Sequence, residues 1–212
     1  MPDHAAVLDN RNALEALTRR YKGHAPDLMG AKGSYAVLCP LAELPEGLSL
    51  LYEVRAANLR QGGEVCFPGG RMEPGETPEV CALRETEEEL AIPRETVQLI
   101  GPGDFIANQR GFLLRPFLGL VSPEGLSAIR PSPAEVAEVF TVPLSWLKEN
   151  LPQIWTYSLR PQTPEDFPYE RIGIRRDYPW AWGQVEVPVW YWHDRAIWGM
   201  TARITLDLLK AL

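Results

Sequence analysis

The sequence predicts an α/β fold in which strands surround one acidic helix and further helices lie near both ends of the chain. Three observations indicate this fold: apolar strand-like segments separated by proline and glycine, a capped helix at residues 78–90, and helical spacing of apolar residues near both ends. Because the chain has 212 residues, of which 45% are hydrophobic, it can bury one substantial core. A single domain over residues 1–212 is therefore expected.

The first elements are a helix and two strands. Apolar residues at helical spacing predict an amphipathic helix over residues 3–20, with Asp3 as its cap and Gly23 beyond its end. Residues 34–41 (SYAVLCPL) and 48–56 (LSLLYEVRA) are strand-like, and the turn-like segment between them predicts a hairpin or meander.

A short strand and the acidic helix follow. Residues 63–70 (GEVCFPGG) predict a strand that ends in a sharp turn, since its two final glycines permit positive φ. The next helix is predicted over about residues 78–90, because Thr77 is a favourable N-cap, proline occupies the first helical position and Pro93 ends the pattern.

The second half of the chain completes the sheet and adds helices. The segments TVQLI, DFIAN, LLRPFLGLV and VAEVFTVPL predict further strands. Residues 143–151 predict a short helix, and an apolar stripe predicts a C-terminal helix over about residues 197–212. Residues 152–183, rich in proline, tryptophan and tyrosine, are predicted to form an irregular insertion, either a long loop or a β-excursion.

The net charge argues against polyanionic partners. The formal charge is -7 and no run of lysine or arginine occurs, so neither non-specific nucleic-acid binding nor attachment to an anionic membrane is expected. Small anionic substrates remain compatible with the negative charge, because a bound metal ion can make the local electrostatic potential positive.

Cysteine content and the first residues predict a cytoplasmic protein. Cys39, Cys66 and Cys81 cannot all pair and each has apolar neighbours, which favours buried free thiols in a reducing compartment. The first residues lack the basic and apolar regions of a leader, and no apolar run approaches the roughly 18 residues of a membrane span.

The predicted helix concentrates four glutamates, Glu85, Glu87, Glu88 and Glu89, within five positions. At about 100° per residue, Glu85, Glu88 and Glu89 fall within an arc of about 100°, whereas Glu87 points to roughly the opposite side. Like charges at this spacing repel one another, so either the face is simply solvated or a cation lies among the carboxylates. Clustered carboxylates suit Mg²⁺ or Mn²⁺, and no nearby pair of histidines or cysteines suggests zinc.

The glycine turn before the helix favours a bound cation over a merely solvated acidic face. Gly69 and Gly70 allow backbone carbonyls to approach a metal ion closely, where a side chain would obstruct them. Arg84 lies beside the cluster and can fix one carboxylate by a bidentate pair.

The joint spacing of these residues carries more information than the glutamates alone. With five, seven and two residues between its parts, the pattern is Gly70, Glu76, Arg84-Glu85 and Glu88-Glu89. Over residues 70–92 this pattern resembles the Nudix box, the signature of hydrolases that cleave a nucleoside diphosphate linked to another moiety. Thr86 and Ala91 depart from the box, and neither removes a ligand.

The resemblance implies a Nudix-type α/β/α sandwich with a mixed β-sheet between helices. It also implies a site for Mg²⁺ or Mn²⁺ formed by Glu85, Glu88, Glu89 and a backbone carbonyl of the glycine turn, here assigned to Gly70. Arg84 would orient the carboxylates, and Glu76 would hold the loop or assist through water. The implied reaction is attack of metal-activated water on one phosphorus of a pyrophosphate, with Glu85 as first choice for the base and Glu89 as second.

Segments that flank the box resemble the coenzyme A pyrophosphatase branch of this family. In LYEVRAANLRQGGEVCFPGG, the matching positions are Arg55, Leu59, Gly63, Val65, Phe67, Pro68, Gly69 and Gly70. The loop is one residue shorter than in that branch and lacks the histidine often found there. Residues 131–147 and 197–204 also resemble it. The implied activity is hydrolysis of coenzyme A, or its thioesters or disulfide, to 4′-phosphopantetheine products and adenosine 3′,5′-bisphosphate.

The candidate substrate-binding residues are Arg55, Arg60, Phe67 and Arg110. Arg55 and Arg60 could meet phosphate oxygens, although surface solubility is the commoner role of any single arginine. The 3′-phosphate of coenzyme A requires a further basic group, which Arg110 or the pair Arg175 and Arg176 could provide.

An aromatic-rich stretch leaves three interpretations open. Its members are Trp180, Trp182, Trp190, Tyr191, Trp192 and Trp198. They could stack on adenine or cover an acyl chain, pack in the core, or form the surface of a homodimer.

Three functions are therefore compatible with the sequence. The first is a cytoplasmic, Mg²⁺- or Mn²⁺-dependent coenzyme A pyrophosphatase that acts on a small nucleotide substrate. The second keeps the box and changes the substrate to ADP-ribose, NADH or a dinucleoside polyphosphate. The third is a non-catalytic nucleotide sensor, which the intact set of carboxylates disfavours because such a domain is expected to lose a ligand.

Overall fold

The computed structural model describes residues 10–24 and 28–212, which divide into two compact units at Ala31 and Lys32. In the first unit, helix α1 spans Asn10–Tyr21. It coincides with the predicted N-terminal helix from residue 10 to residue 20. The proposed beginning of that helix and its cap, Asp3, lie outside the described residues.

The second unit is built on an eight-stranded sheet. Its strands, in chain order, are β1 Gly33–Leu44, β2 Gly47–Arg55, β3 Val65–Cys66, β4 Gly69–Arg71, β5 Val97–Pro102, β6 Ile106–Asn108, β7 Phe112–Val121 and β8 Val136–Pro143. The main order is β3-β2-β1-β7-β5, and β4 pairs with β1, β6 with β7 and β8 with β2. Strands β1 and β7 are parallel and the other pairs are antiparallel, so the sheet is mixed.

Helices cover both faces of this sheet. They are α2 Pro78–Leu90, α3 Pro123–Ala128, α4 Leu144–Glu149 and α5 Gly199–Leu209. Neighbouring residues of β1 point to opposite faces: Leu38 packs with Cys81 of α2, whereas Cys39 joins a core that includes Leu147 of α4 and Ile204 of α5. This layered arrangement confirms the predicted α/β/α fold class. Of the helices in the described ranges, none has the length and apolar character of a membrane span.

Helix α2 begins and ends where the sequence predicts. The Thr77 hydroxyl accepts a hydrogen bond from the Val80 N–H at 3.4 Å, and proline occupies the first turn. At the other end Ala91 adopts the left-handed conformation, with φ 57° and ψ 27°, and its N–H donates to the Glu87 carbonyl at 2.9 Å.

A second sheet of three antiparallel strands lies in the C-terminal part of the chain. It consists of β9 Gln153–Leu159, β10 Gly183–Trp192 and β11 Arg195–Trp198, in the order β11-β10-β9. Residues 160–182 connect β9 to β10 through turns and irregular structure. Residues 152–183 therefore combine strand β9 and the first residue of β10 with a long irregular segment, so each of the two interpretations describes part of this insertion.

The aromatic stretch divides between core and surface. Trp190 is 2% exposed and packs in the core, and Trp192 packs edge-to-face on Trp146 at 4.6 Å. Trp182 and Tyr191 are exposed. Core packing therefore explains only part of this stretch.

Candidate active site

The turn before α2 lies close to strand β1, and this contact requires a glycine. In the antiparallel pairing of β4 with β1, Gly69 lies opposite Val37 and Gly70 opposite Ala36. Gly69 has φ 152°, and a Cβ atom there would lie 2.3 Å from the Ala36 carbonyl oxygen. No larger residue fits without moving the strand.

Gly70 allows the Glu85 carboxylate to lie against the turn. A Cβ atom on Gly70 would lie 2.4 Å from Cδ and 2.5 Å from both carboxylate oxygens of Glu85. Burial raises the pKa of Glu85, and the neighbouring Arg84 opposes this rise. A carboxylate and a turn backbone are thus brought together at the start of the box.

Arg84 supplies the positive charge among the carboxylates. Its Nε donates to Glu76 Oε1 at 2.9 Å and its Nη2 to Glu76 Oε2 at 3.1 Å. Its Nη1 lies 2.9 Å from Glu85 Oε1 and 3.1 Å from Glu88 Oε2. The hydrogen bonds from Arg84 are the main cause that lowers the pKa of Glu76 to about 2, and a bond from the Glu73 N–H adds to it. The guanidinium therefore pairs with three of the four carboxylates predicted for the site.

Glu87 lies apart from this cluster, as the helical arc predicts. Its carboxylate pairs with Arg94, whose Nε donates at 2.9 Å.

Glu89 is buried between the helix and the turn. The side chain is 4% exposed, and its Oε2 accepts a hydrogen bond from the Gly69 N–H at 2.8 Å. Burial, followed by the charge of Glu53, raises the pKa of Glu89 to about 9. The C-terminal turn of α2 is thereby tied to the glycine turn.

Glu53, on strand β2, is a candidate site residue that sequence reasoning misses. It is 1% exposed, and its Oε1 accepts a hydrogen bond from the Cys66 thiol at 3.2 Å. Burial raises the pKa of Glu53 to about 7, although the Cys66 bond and the charge of Arg55 oppose the rise. The available signal is a charged residue within an apolar strand, since glutamate is rarely buried without a partner.

Glu135 is a second acidic residue beside the cluster. It is exposed on the segment before β8, and its carbonyl accepts a hydrogen bond from the Ala56 N–H at 2.8 Å. Its charge contributes to the raised pKa of Glu53, Glu85 and Glu89. Three buried or half-buried carboxylates therefore share one region with an exposed one.

The four candidate substrate-binding residues lie in different environments. Arg55 is half-buried at the end of β2, where its charge acts on Glu53 and Cys66. Arg60 is exposed on the loop after β2, and Arg110 is exposed on the turn between β6 and β7. Phe67 is 3% exposed and stacks on Tyr52, with 4.8 Å between ring centroids, so it supports the core and does not face open solvent.

The cysteines are all free thiols, as predicted. Cys39 and Cys81 are buried, and Cys66 is half-buried beside Glu53. Burial is the largest cause that raises the pKa of the Cys66 thiol, so it is a neutral donor to Glu53 at physiological pH.

The carboxylate and carbonyl oxygens of this site suit a hard divalent cation, although the carboxylates bind other groups in this structure. Among the described residues, no three His, Cys, Asp or Glu side chains converge closely enough to hold a metal ion as they stand. Glu85 and Glu88 instead form ion pairs with Arg84, and Glu89 accepts a hydrogen bond from the Gly69 N–H. Carboxylate and carbonyl oxygens are the ligands that Mg²⁺ and Mn²⁺ prefer, and one buried oxygen here, Glu53 Oε2, has no hydrogen-bond partner.

Comparison with protein families identifies the class of this protein. The family model described as "NUDIX domain" matches residues 36–163, more than half of the chain. The chain therefore belongs to the Nudix hydrolase family, which confirms the family predicted from the box. Members of this family generally use divalent metal ions such as Mg²⁺ or Mn²⁺ and act on small nucleotide derivatives.

Individual relatives cover most of the chain. NudL of Photorhabdus laumondii, named an uncharacterized Nudix hydrolase, is 36% identical over 178 residues, which are 82% of this chain and 82% of that protein. The human mitochondrial coenzyme A diphosphatase NUDT8 is 33% identical over 200 residues, which are 92% of this chain and 75% of that protein. Among solved structures, the Nudix hydrolase RenU of M. smegmatis has 24% identity and a TM-score of 0.48, with coverage of 56% of this chain and 75% of that chain.

Proposed function

We propose that this protein hydrolyses the pyrophosphate bond of coenzyme A or its derivatives in a reaction that depends on Mg²⁺ or Mn²⁺. The products would be 4′-phosphopantetheine or its acyl or disulfide derivatives and adenosine 3′,5′-bisphosphate. The observation that carries the proposal is the contact between the box and its upstream flank. The Glu89 carboxylate accepts a hydrogen bond from the Gly69 N–H, the charge of Glu53 on the preceding strand acts on Glu89, and the charge of Arg55 acts on Glu53.

The substrate class is supported by relatives as well as by the flanking segments. Mitochondrial coenzyme A diphosphatases of human and mouse are 33% and 29% identical to the chain, over 92% and 100% of its length. The matches thus extend beyond the box to both flanks.

The proposed ligands of the cation are Glu85, Glu88, Glu89 and the Gly70 carbonyl. A bound divalent ion lowers the pKa of a water ligand and neutralises charge on phosphate oxygens. Glu85 and Glu88 pair with Arg84 in this structure, so binding of a cation would compete with these ion pairs. Arg84 would then retain its bidentate pair with Glu76 and hold the loop in place.

Proton removal from the attacking water is assigned to a carboxylate of the helix. Glu85 is the first choice, because its carboxylate lies against the Gly70 turn, and Glu89 is the second. The burial that raises the pKa of both groups also makes each a stronger base when ionised.

Substrate phosphates are expected to approach from the side of Arg55 and Arg60. Arg55 is the better supported of the two, because its charge acts on the buried Glu53 carboxylate, whereas Arg60 extends from an exposed loop. Arg110 is a candidate for the 3′-phosphate. Phe67 is expected to act indirectly, because its ring stacks on Tyr52 and so supports the turn that follows it.

A substrate panel tests this proposal. Purified protein is incubated with coenzyme A, acetyl-coenzyme A, ADP-ribose, NADH and a dinucleoside polyphosphate, each with Mg²⁺ or Mn²⁺, and products are identified by mass spectrometry. Release of adenosine 3′,5′-bisphosphate from coenzyme A, abolished by a chelator, is the expected result. Turnover of ADP-ribose without turnover of coenzyme A would overturn the substrate assignment, and inactivity on the whole panel would favour a nucleotide sensor.

A further inference from the structure

Glu53 is a buried carboxylate with one oxygen that lacks a partner. Its side chain is 1% exposed, Oε1 accepts only the weak thiol donor of Cys66, and Oε2 is buried with no hydrogen-bond partner in the described part of the chain. An unpartnered carboxylate oxygen in a protein interior is costly and rare in native structures. A role in packing does not explain why this position carries a charge.

The orientation of the strand directs Glu53 toward the acidic helix. Leu51, two residues earlier on β2, packs with Leu90, the last residue of α2, and with Ile92 just beyond the helix. Because side chains two residues apart on a strand share a face, Glu53 points to the same side of the sheet as Leu51. Tyr52, between them, joins the core on the other face.

Glu53 and Glu89 also contact the same short segment. Glu53 accepts from the thiol of Cys66, and Glu89 accepts from the N–H of Gly69, three residues further along. The charge of Glu53 is the second-largest cause that raises the pKa of Glu89. Two buried carboxylates therefore approach one turn, one from the sheet and one from the helix.

We propose that Glu53 is a further ligand of the divalent-cation site, contributed by strand β2 from outside the box, and that its Oε2 atom binds a cation together with Glu89. This inference rests on the proposed function, because the cation is the one that the box would hold. The ion would then lie between the sheet and α2, with ligands from both. A cation at this point satisfies the unpartnered oxygen and reduces the repulsion between the two carboxylates.

Binding of Mn²⁺ to metal-stripped protein tests the inference without measuring activity. Free Mn²⁺ is followed by its electron paramagnetic resonance signal in the wild type, in Glu53→Gln and in a control, Glu43→Gln, which changes an exposed carboxylate on the neighbouring strand β1. Glu53→Gln is expected to weaken Mn²⁺ binding at least about tenfold or to remove one ion from the stoichiometry, and Glu43→Gln to bind as the wild type does.

Thermal unfolding separates a ligand from a structural residue. Without metal, Glu53→Gln is expected to melt no lower than the wild type, because the substitution removes a buried charge. The rise in Tm on adding Mn²⁺ is expected to be smaller in the variant. A lower Tm without metal, combined with unchanged Mn²⁺ affinity, would overturn the inference. If Glu53→Gln does not fold, Glu53→Asp replaces it, because aspartate is shorter by one methylene and its carboxylate lies further from the proposed ion. Mn²⁺ affinity equal to that of the wild type in Glu53→Asp would overturn the inference.

Mn²⁺ binding distinguishes failure of the proposed function from failure of the role assigned to Glu53. If the wild type binds no Mn²⁺, the proposed function fails and this inference with it. If the wild type binds Mn²⁺ and Glu53→Gln binds it equally well, the function stands and only the role of Glu53 is overturned.

Discussion

The guanidinium group of Arg84 forms two parallel hydrogen bonds with the Glu76 carboxylate, from Nε to Oε1 at 2.9 Å and from Nη2 to Oε2 at 3.1 Å. The same group reaches Glu85 and Glu88 through Nη1. Arg84 therefore joins the loop before α2 to the carboxylates on the helix, and this geometry requires the planar fork of arginine.

Replacing Arg84 by lysine is expected to loosen the loop. Lysine keeps the charge but cannot form the bidentate pair, so the bond from the Glu73 N–H to Glu76 loses its support and that amide is expected to exchange with solvent faster. Activity on the preferred substrate is expected to fall about 10- to 100-fold. Hydrogen exchange and steady-state kinetics measure the two effects. Arg94→Lys, which alters the pair with Glu87, is the matched control and is expected to leave both unchanged.

Glu85→Gln is expected to reduce kcat at least about 100-fold while the fold is kept. The substitution removes the charge of a carboxylate proposed as both ligand and base. Glu87→Gln is the control, since this side chain lies on the opposite side of the helix and pairs with Arg94. Equal rates for the two variants, with circular dichroism spectra like that of the wild type, would contradict the assignment of Glu85.

Gly70→Ala is expected to displace the Glu85 carboxylate. The added Cβ would lie 2.4 Å from Glu85 Cδ, and a flexible side chain can move away at small cost to the fold. Loss of Mn²⁺ affinity and of activity, with a Tm close to that of the wild type, is the expected combination. Unchanged Mn²⁺ affinity would show that the close approach of Gly70 and Glu85 serves no ligand.

The metal-free protein is expected to lose stability as pH rises from about 5 to about 9. Glu53 and Glu89 have pKa values raised from 4.5 to about 7 and about 9 in the folded state. The folded protein therefore binds more protons than the unfolded chain in this range, and the free energy of unfolding decreases as they are released. Glu76, whose pKa is lowered to about 2, acts only below this window.

Urea unfolding in the presence of a chelator at pH 5, 7 and 9 measures this dependence. Glu89→Gln is expected to make the curve flatter, because its side chain does not titrate. A free energy of unfolding that stays level or rises over this range in the wild type would count against ionisation of the two buried carboxylates as its cause.

Ala91→Gly is expected to stabilise the protein by about 0.5 to 1 kcal/mol. Ala91 has φ 57° at the end of α2, a conformation that costs an L-residue more than it costs glycine, and the greater freedom of glycine in the unfolded chain offsets part of the gain. Chemical denaturation measures the difference. The side chain is exposed, so no packing contact is lost, and a decrease in stability would contradict this account.

Local signals predict the elements of this fold better than their pairing. The bounds of α2 follow from Thr77, the proline after it and the residues that end the helix, because capping is a local interaction. The pairing of β4 with β1 is not predictable in the same way, since it depends on contacts between segments more than 30 residues apart. Strand β9 is difficult to predict because nearly all of its residues, including Trp155 and Tyr157, are exposed, so it has no buried face that would mark it as part of a core.

Site residues on one helix are likewise predictable from local spacing, whereas those brought together by the fold are not. Spacing along one helix separates Glu85, Glu88 and Glu89 from Glu87, because all four share a single helical frame. Glu53 lies more than 30 positions before Glu89, and only the folded sheet brings it to α2. Arg84 is predicted to pair with one carboxylate, whereas the structure pairs it with three.

The position of Arg84 bears on whether folding of this protein depends on a metal ion. Small zinc domains remain unfolded until their ion arrives, because the free energy of metal binding drives their folding. Here Arg84 of the same helix supplies a counter-charge to Glu85 and Glu88, and also to Glu76, so folding is expected not to require a divalent ion. Under the proposed function, removal of the ion is expected to abolish activity while the protein stays folded, and addition of the ion is expected to restore it.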